Sequence, residues 1–185
     1  MRNAYLTSHF PLISIILFSL SFSIYTVNLS TAYLQEIGLY SGMVEFFSER
    51  GILLTLLFVL WLFYFMLFAA LKLIADTINE LSLLFFSKDE EGVGLRSIRR
   101  GSWFFLIGSI ASLVAIVDLL ALVATFTIAS FLYFIYFLYR VSDSLGAMAL
   151  FGLVFFHLFF WFSFVLAIGY SVLRLYNSVI ASLPL

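Results

Sequence analysis

The chain has 185 residues, 64% of them hydrophobic and only 10% charged, with a net charge of −1 and a mean hydropathy of +1.17. A water-soluble domain carries about 25% charged residues. So few charges cannot cover a globular surface, and lipid must be the solvent for most of this fold. Cysteine is absent, which excludes disulfides, a thiol nucleophile and a thiolate metal site.

Backbone N–H and C=O groups cannot stay unpaired in hydrocarbon, so the long apolar runs are helices or strands of a closed barrel. The runs are continuous rather than short and alternating, which selects helices. The two prolines, Pro11 and Pro184, lie near the ends and leave the helices unbroken. The expected fold is an all-α polytopic membrane bundle of about five spans, with four as the alternative.

The first span is expected at 10–29, close to the roughly 20 residues a crossing needs. Ser30-Thr31-Ala32 resembles a signal-peptide cleavage site, but the apolar stretch before it is long for that role and reads as an anchor. Residues 31–51 read as an outer amphipathic segment. There Leu34, Ile37, Met43, Val44, Phe46 and Phe47 line short interfacial helices broken by Gly38, Gly42 and Gly51.

The second span, 52–73, runs on into an amphipathic extension. Ile74, Ile78, Leu81 and Phe85 recur at helical spacing, while Lys72, Asp76 and Glu80 line another face. A cytoplasmic helical extension and charged loop are therefore expected over 74–101. From Ser102 to Tyr139 the only charge is Asp118. One helix of that length would reach about 55 Å, against a hydrocarbon core of about 30 Å. A hairpin turning near Asp118 gives spans 102–118 and 121–139 and leaves the carboxylate at the water boundary. The last span is expected at 147–170. Ser163, Ala167 and Ser171 form a small-residue seam on it, and Gly108 with Ser112, and Ala111 with Ala115, form others on the third span.

With five spans and a cytoplasmic N-terminus, Arg2, Lys72, Lys88, Arg96, Arg99, Arg100 and Arg140 fall inside, and only Arg50 and Arg174 outside. Four spans trade Arg140 against Arg174, so the length of the 102–139 run decides. In this arrangement Lys72, Asp118, Arg140 and Arg174 all lie near a membrane boundary.

The segments Tyr5-Leu6-Thr7 and Phe10-Pro11-Leu12-Ile13, Glu36-Ile37-Gly38-Leu39-Tyr40, the block from Leu71 to Asp89, Phe155-Phe156-His157-Leu158 and Arg174-Leu175-Tyr176-Asn177-Ser178 resemble the YufK-type family. These are multi-spanning membrane proteins of Bacillus and its relatives. The resemblance runs along nearly the whole chain and implies a Gram-positive plasma membrane. It carries no motif of an activity.

His157 is the titratable side chain expected deepest in the bilayer, among Phe155, Phe156, Phe159, Phe160 and Trp161. An intramembrane ionisable group is a candidate functional site, and Asp118 is its candidate counter-ion. The simpler reading, which weighs more, is a neutral imidazole hydrogen-bonded across a helix interface. Lys72, Asp76, Asn79 and Glu80 form a candidate partner surface or gate, against the plainer reading of a solvated helix face. Arg96, Arg99 and Arg100 suit anionic lipid headgroups, each worth about 1 kcal/mol.

No His-Glu-x-x-His, Gly-rich phosphate loop or G-x-S-x-G elbow occurs in the sequence. No cofactor or metal is expected, and no basic surface supports nucleic-acid binding. Three functions follow in order: a non-enzymatic accessory or structural subunit or homo-oligomer; a small oligomeric transporter or channel using His157 or the Lys72–Glu80 face; and, far behind, a lipid-acting enzyme. The expected partners are the bilayer and a second copy or another membrane protein.

Overall fold

The computed structural model describes residues 9–87 and 99–182, and these are helical almost throughout. Helix α1 runs Phe10–Glu36, α2 Leu39–Phe46 and α3 Glu49–Phe86. A 3-10 turn, Arg99–Gly101, leads into α4, Ser102–Val114, which tightens into a second 3-10 turn, Ala115–Val117. Helix α5 spans Leu119–Ser142 and α6 Ala147–Ser182. Four helices, α1, α3, α5 and α6, are long and apolar enough to cross a membrane. Helix α4 with its 3-10 turn is shorter, about 24 Å at 1.5 Å per residue.

Local chemistry sets the ends. Pro11 sits in the first turn of α1, where its missing N–H costs no hydrogen bond. The helix continues past residue 29 to Glu36, because nothing before Gly38 breaks it. Gly38, with φ 74°, takes the left-handed backbone that ends it. Gly42 and Gly51 were expected to interrupt the chain as well, but both lie inside helices. Ser48 caps α3 by accepting the Gly51 N–H at 3.1 Å. Helix α3 then runs unbroken for 38 residues, about 57 Å. The last helix likewise passes residue 170 and reaches Ser182, since it contains no proline and its Gly169 is helical.

Packing is organised around α1, the most enclosed of the four long helices. It lies against α3 on one side and α4 on the other, and α4 pairs with α5. The buried set includes Ser14, Ser19, Ser21, Ser23, Ser109 and Ser112, while Val114, Val117 and Met148 stand more than 80% exposed. This is the arrangement lipid demands. Large apolar side chains gain nothing by leaving hydrocarbon, whereas small ones let backbones approach. At Gly108 the approach is so close that an added Cβ would lie 2.7 Å from the Ala129 Cβ and 3.4 Å from the Thr125 carbonyl oxygen. The Gly108–Ser112 seam is thus filled from two sides, by α5 at Gly108 and by α1 at Ser112, whose hydroxyl lies 2.9 Å from that of Ser21. Further along, the hydroxyls of Thr26 and Tyr64 join α1 to α3 at 2.9 Å.

Between α3 and α5 the space is closed by rings. Phe68 meets Phe126 at 5.1 Å and Phe18 at 5.7 Å, and Phe18 meets Phe126 edge-on at 5.4 Å. A second apolar cluster, of Leu83, Phe137, Val141 and Leu153, joins the ends of α3 and α5 to the beginning of α6. From residue 165 to 182, by contrast, every residue of α6 is exposed.

Candidate functional site: a polar cluster around His157

The site forms where α3, α5 and α6 converge. Gly152 fixes the approach of α6, since a Cβ there would lie 2.6 Å from the Phe86 ring of α3. One turn further on, His157 is 2% exposed and surrounded by the rings of Phe134 at 5.2 Å, Phe137 at 5.3 Å and Phe156 at 5.9 Å. Its Nδ1 lies 3.0 Å from the Leu153 carbonyl oxygen and its Nε2 3.1 Å from the Asn79 side-chain amide. Asn79 also interacts with the Tyr133 hydroxyl of α5, which lies within the field of the Asp76 carboxylate. Asp76 pairs with Lys72 one turn earlier on α3. Lys72, Asp76, Tyr133, Asn79 and His157 therefore form one continuous chain of polar interactions drawn from three helices.

Two groups that the sequence presents as separate, His157 and the Lys72–Glu80 face, are thus one site. Glu80 lies on the exposed flank of α3 beside it. Asp118, the expected counter-ion, is not part of it. Its carboxylate caps α5, accepting the Leu120 N–H and the Ala121 N–H at 3.2 Å each. Along α5 it stands about 24 Å from Phe134, which touches His157. A carboxylate that starts a helix cannot also serve the far end of that helix.

Heights along α5 relate two further groups to Arg140. His157 is level with Phe134 and Phe137, only about 5–9 Å of helix rise from Arg140. It therefore sits toward the Arg140 end rather than at mid-height, because α6 begins well beyond that end and has climbed only ten residues at His157. Conversely, α3 aligns Phe68 with Phe126 and Leu83 with Phe137 and Val141. Lys72 and Asp76 then stand roughly 10–16 Å from the level of Arg140, inside the height of α5 rather than beyond it. An ion pair at such a height is costly in hydrocarbon unless the lysine stem reaches toward water.

Of the three arginines expected at the headgroups, Arg96 lies outside the described residues. Arg99 and Arg100 belong to the 3-10 turn before α4, with Arg100 exposed. Arg140 is held by Tyr136, whose hydroxyl accepts from Nε at 3.1 Å and whose ring lies 5.5 Å from the guanidinium. Among the described residues, no three His, Asp or Glu side chains come together. Clefts of about 290 Å³ lie at Tyr25, Asn28 and Val117 and at Tyr170, Arg174 and Ser178, both away from the cluster. Sequence reasoning missed Tyr133. It is one of three tyrosines in α5, with Tyr136 and Tyr139, and nothing in their spacing separates the one beside Asn79 from the other two.

Comparison with known proteins agrees with this architecture of apolar helices. The chain is 45% identical over 184 residues to the uncharacterised membrane protein YufK of Bacillus subtilis (strain 168), and the match covers 100% of both chains. No solved structure matches it. Residues 27–184 match the model of a family of unknown function, DUF5366. The chain is thus a helical membrane protein, and it belongs to the DUF5366 family.

Proposed function

We propose that this protein is a non-enzymatic component of the bacterial plasma membrane, acting as a structural or accessory subunit or as a homo-oligomer. The observation that carries this reading is the second half of α6. From residue 165 to 182 every residue is exposed, and Ser163, Ala167 and Ser171 present a small-residue seam along it. The N-terminus is cytoplasmic in this reading. The chain crosses five times, with α4 and its 3-10 turn as the short third crossing and Asp118 at the outer boundary. The antiparallel packing of α4 on α5 supports that count, because two helices paired through Gly108 share one slab of membrane.

Native mass spectrometry of the protein extracted in its own lipid tests the assembly. A homo-oligomer, or a second polypeptide at fixed stoichiometry, is expected, and Ala167→Leu should weaken it. A monomer under these conditions overturns the reading. The continuous polar chain from Lys72 to His157 favours a second function, a small oligomeric transporter that uses this cluster. Loss of solute flux in His157→Phe, with assembly retained, would establish that alternative.

A further inference from the structure

We propose that His157, Asn79 and Tyr133 form a proton-binding site with two fully hydrogen-bonded states, exchanged by half a turn of the Asn79 amide. Both ring nitrogens of His157 face oxygen atoms: Nδ1 the Leu153 carbonyl at 3.0 Å, and Nε2 the Asn79 Oδ1 at 3.1 Å. A neutral imidazole has one N–H and cannot donate to both. In this arrangement the ring that satisfies its surroundings is the imidazolium, with Nδ1–H donating to Leu153 and Nε2–H to Asn79. The Asn79 NH2 then donates to the Tyr133 oxygen, and the Tyr133 O–H turns toward Asp76, whose charge it already feels.

Turning the amide exchanges its oxygen and nitrogen within the same volume. Asn79 Nδ2–H now donates to an unprotonated Nε2, the Tyr133 O–H donates to Asn79 Oδ1, and Nδ1–H still donates to Leu153. Every polar atom is again paired, with one proton fewer. The balance is simple. One proton binds or leaves at Nε2, and no other covalent bond changes.

The charged surroundings favour occupancy. Helix α3 brings Lys72, Asp76 and Glu80, a net charge of −1, and the end of α5 brings Arg140 with Asp143 just beyond it, which offset each other. Tyr133, Tyr136 and Tyr139 are the other titratable groups on α5, and α6 carries none between His157 and Tyr170. An imidazolium would therefore neutralise the local excess. A hydrogen-bonded interior site with two satisfied states is bistable, because neither state strands a buried donor or acceptor, and the acidic surroundings offset part of the cost of burying the charge. The site depends only on contacts within one chain, so it stands whether or not the protein assembles.

The chain contains two histidines, so His9→Gln leaves His157 as the sole imidazole. Nitrogen-15 histidine spectra of that full-length protein in phospholipid bilayers report the ring directly as the pH is lowered from about 8 to about 5, the range in which imidazoles take up protons. The expected result is a neutral ring protonated on Nδ1 at the start and an imidazolium at the end, with Tyr133 signals moving at the same midpoint. Tyr133→Phe should keep the Nδ1-protonated neutral form but move the midpoint to lower pH, because the link to Asp76 is gone. A neutral ring protonated on Nε2, a ring that stays neutral throughout, or a midpoint unmoved by Tyr133→Phe would overturn the proposal. The tautomer is read on the natural residue pair and needs no further variant.

Discussion

The α1–α4 interface and the α3–α6 interface join helices by opposite means. At the first, serines do the joining, and each has a local alternative. Ser21 also reaches the Leu17 carbonyl at 3.0 Å, and Ser112 the Ser109 carbonyl at 2.7 Å. When the helices separate, both hydroxyls fall back on their own backbone, so the hydrogen bond between them adds little and close packing carries the contact. At the second, His157 and Asn79 reach across helices, and the amide has no comparable retreat. A buried donor or acceptor left alone costs far more than the hydrogen bond gained by pairing it. The first interface is held by shape and the second by polar satisfaction.

The sharpest way to break this contrast is at Gly108. Gly108→Leu places a side chain where even a Cβ meets Ala129 at 2.7 Å, and should cost about 3 kcal/mol or more in SDS-induced unfolding from mixed micelles. The same Cβ would lie 3.3 Å from the Phe18 ring of α1, so a loss below about 1 kcal/mol would mean that shape is not what holds α4 to α1 and α5. Next in size is Asn79→Leu, which strands the imidazole and should cost about 1–3 kcal/mol. Combining it with His157→Phe should recover much of that loss, because both polar partners are then gone. A simple sum of the two single effects, read in the same assay, would show that the pair is not coupled. The smallest effect is expected at Ser21→Ala, about 0.6 kcal/mol, the average for a side-chain hydrogen bond between membrane helices. A loss as large as that of Asn79→Leu would erase the distinction between the two interfaces.

Much of the architecture is legible in the sequence because it depends on one-dimensional quantities. The run from Ser102 to Tyr139 is too long for one crossing, and the chain breaks at Ala115–Val117 with Asp118 as the next helix cap. The absence of strand-like alternation fixes the class. What the sequence conceals is rotation. In a soluble helix the polar face marks the outside, but here both faces are apolar, so no periodicity says that Ser21 looks at Ser112 or His157 at Asn79, 78 positions away. Depth is hidden for a related reason. Helices α3 and α6 are much longer than a membrane is thick, so counting from their ends does not give the height of Lys72 or His157 against α5. Asp118 misled because it stood out chemically within its run, whereas its work is local, closing the first turn of α5.

The serines of α1 have a consequence for how the protein is made. Ser14, Ser19, Ser21, Ser23 and Thr26 each donate to a carbonyl three or four residues earlier in the same helix. Helix α1 can therefore enter the bilayer with these five hydroxyls already satisfied, before α3 or α4 has left the ribosome. Those five need no later helix to pair them. Asn79 has no such provision: its partners on α5 and α6 are translated later, so the His157 corner is the last part of the molecule that can close.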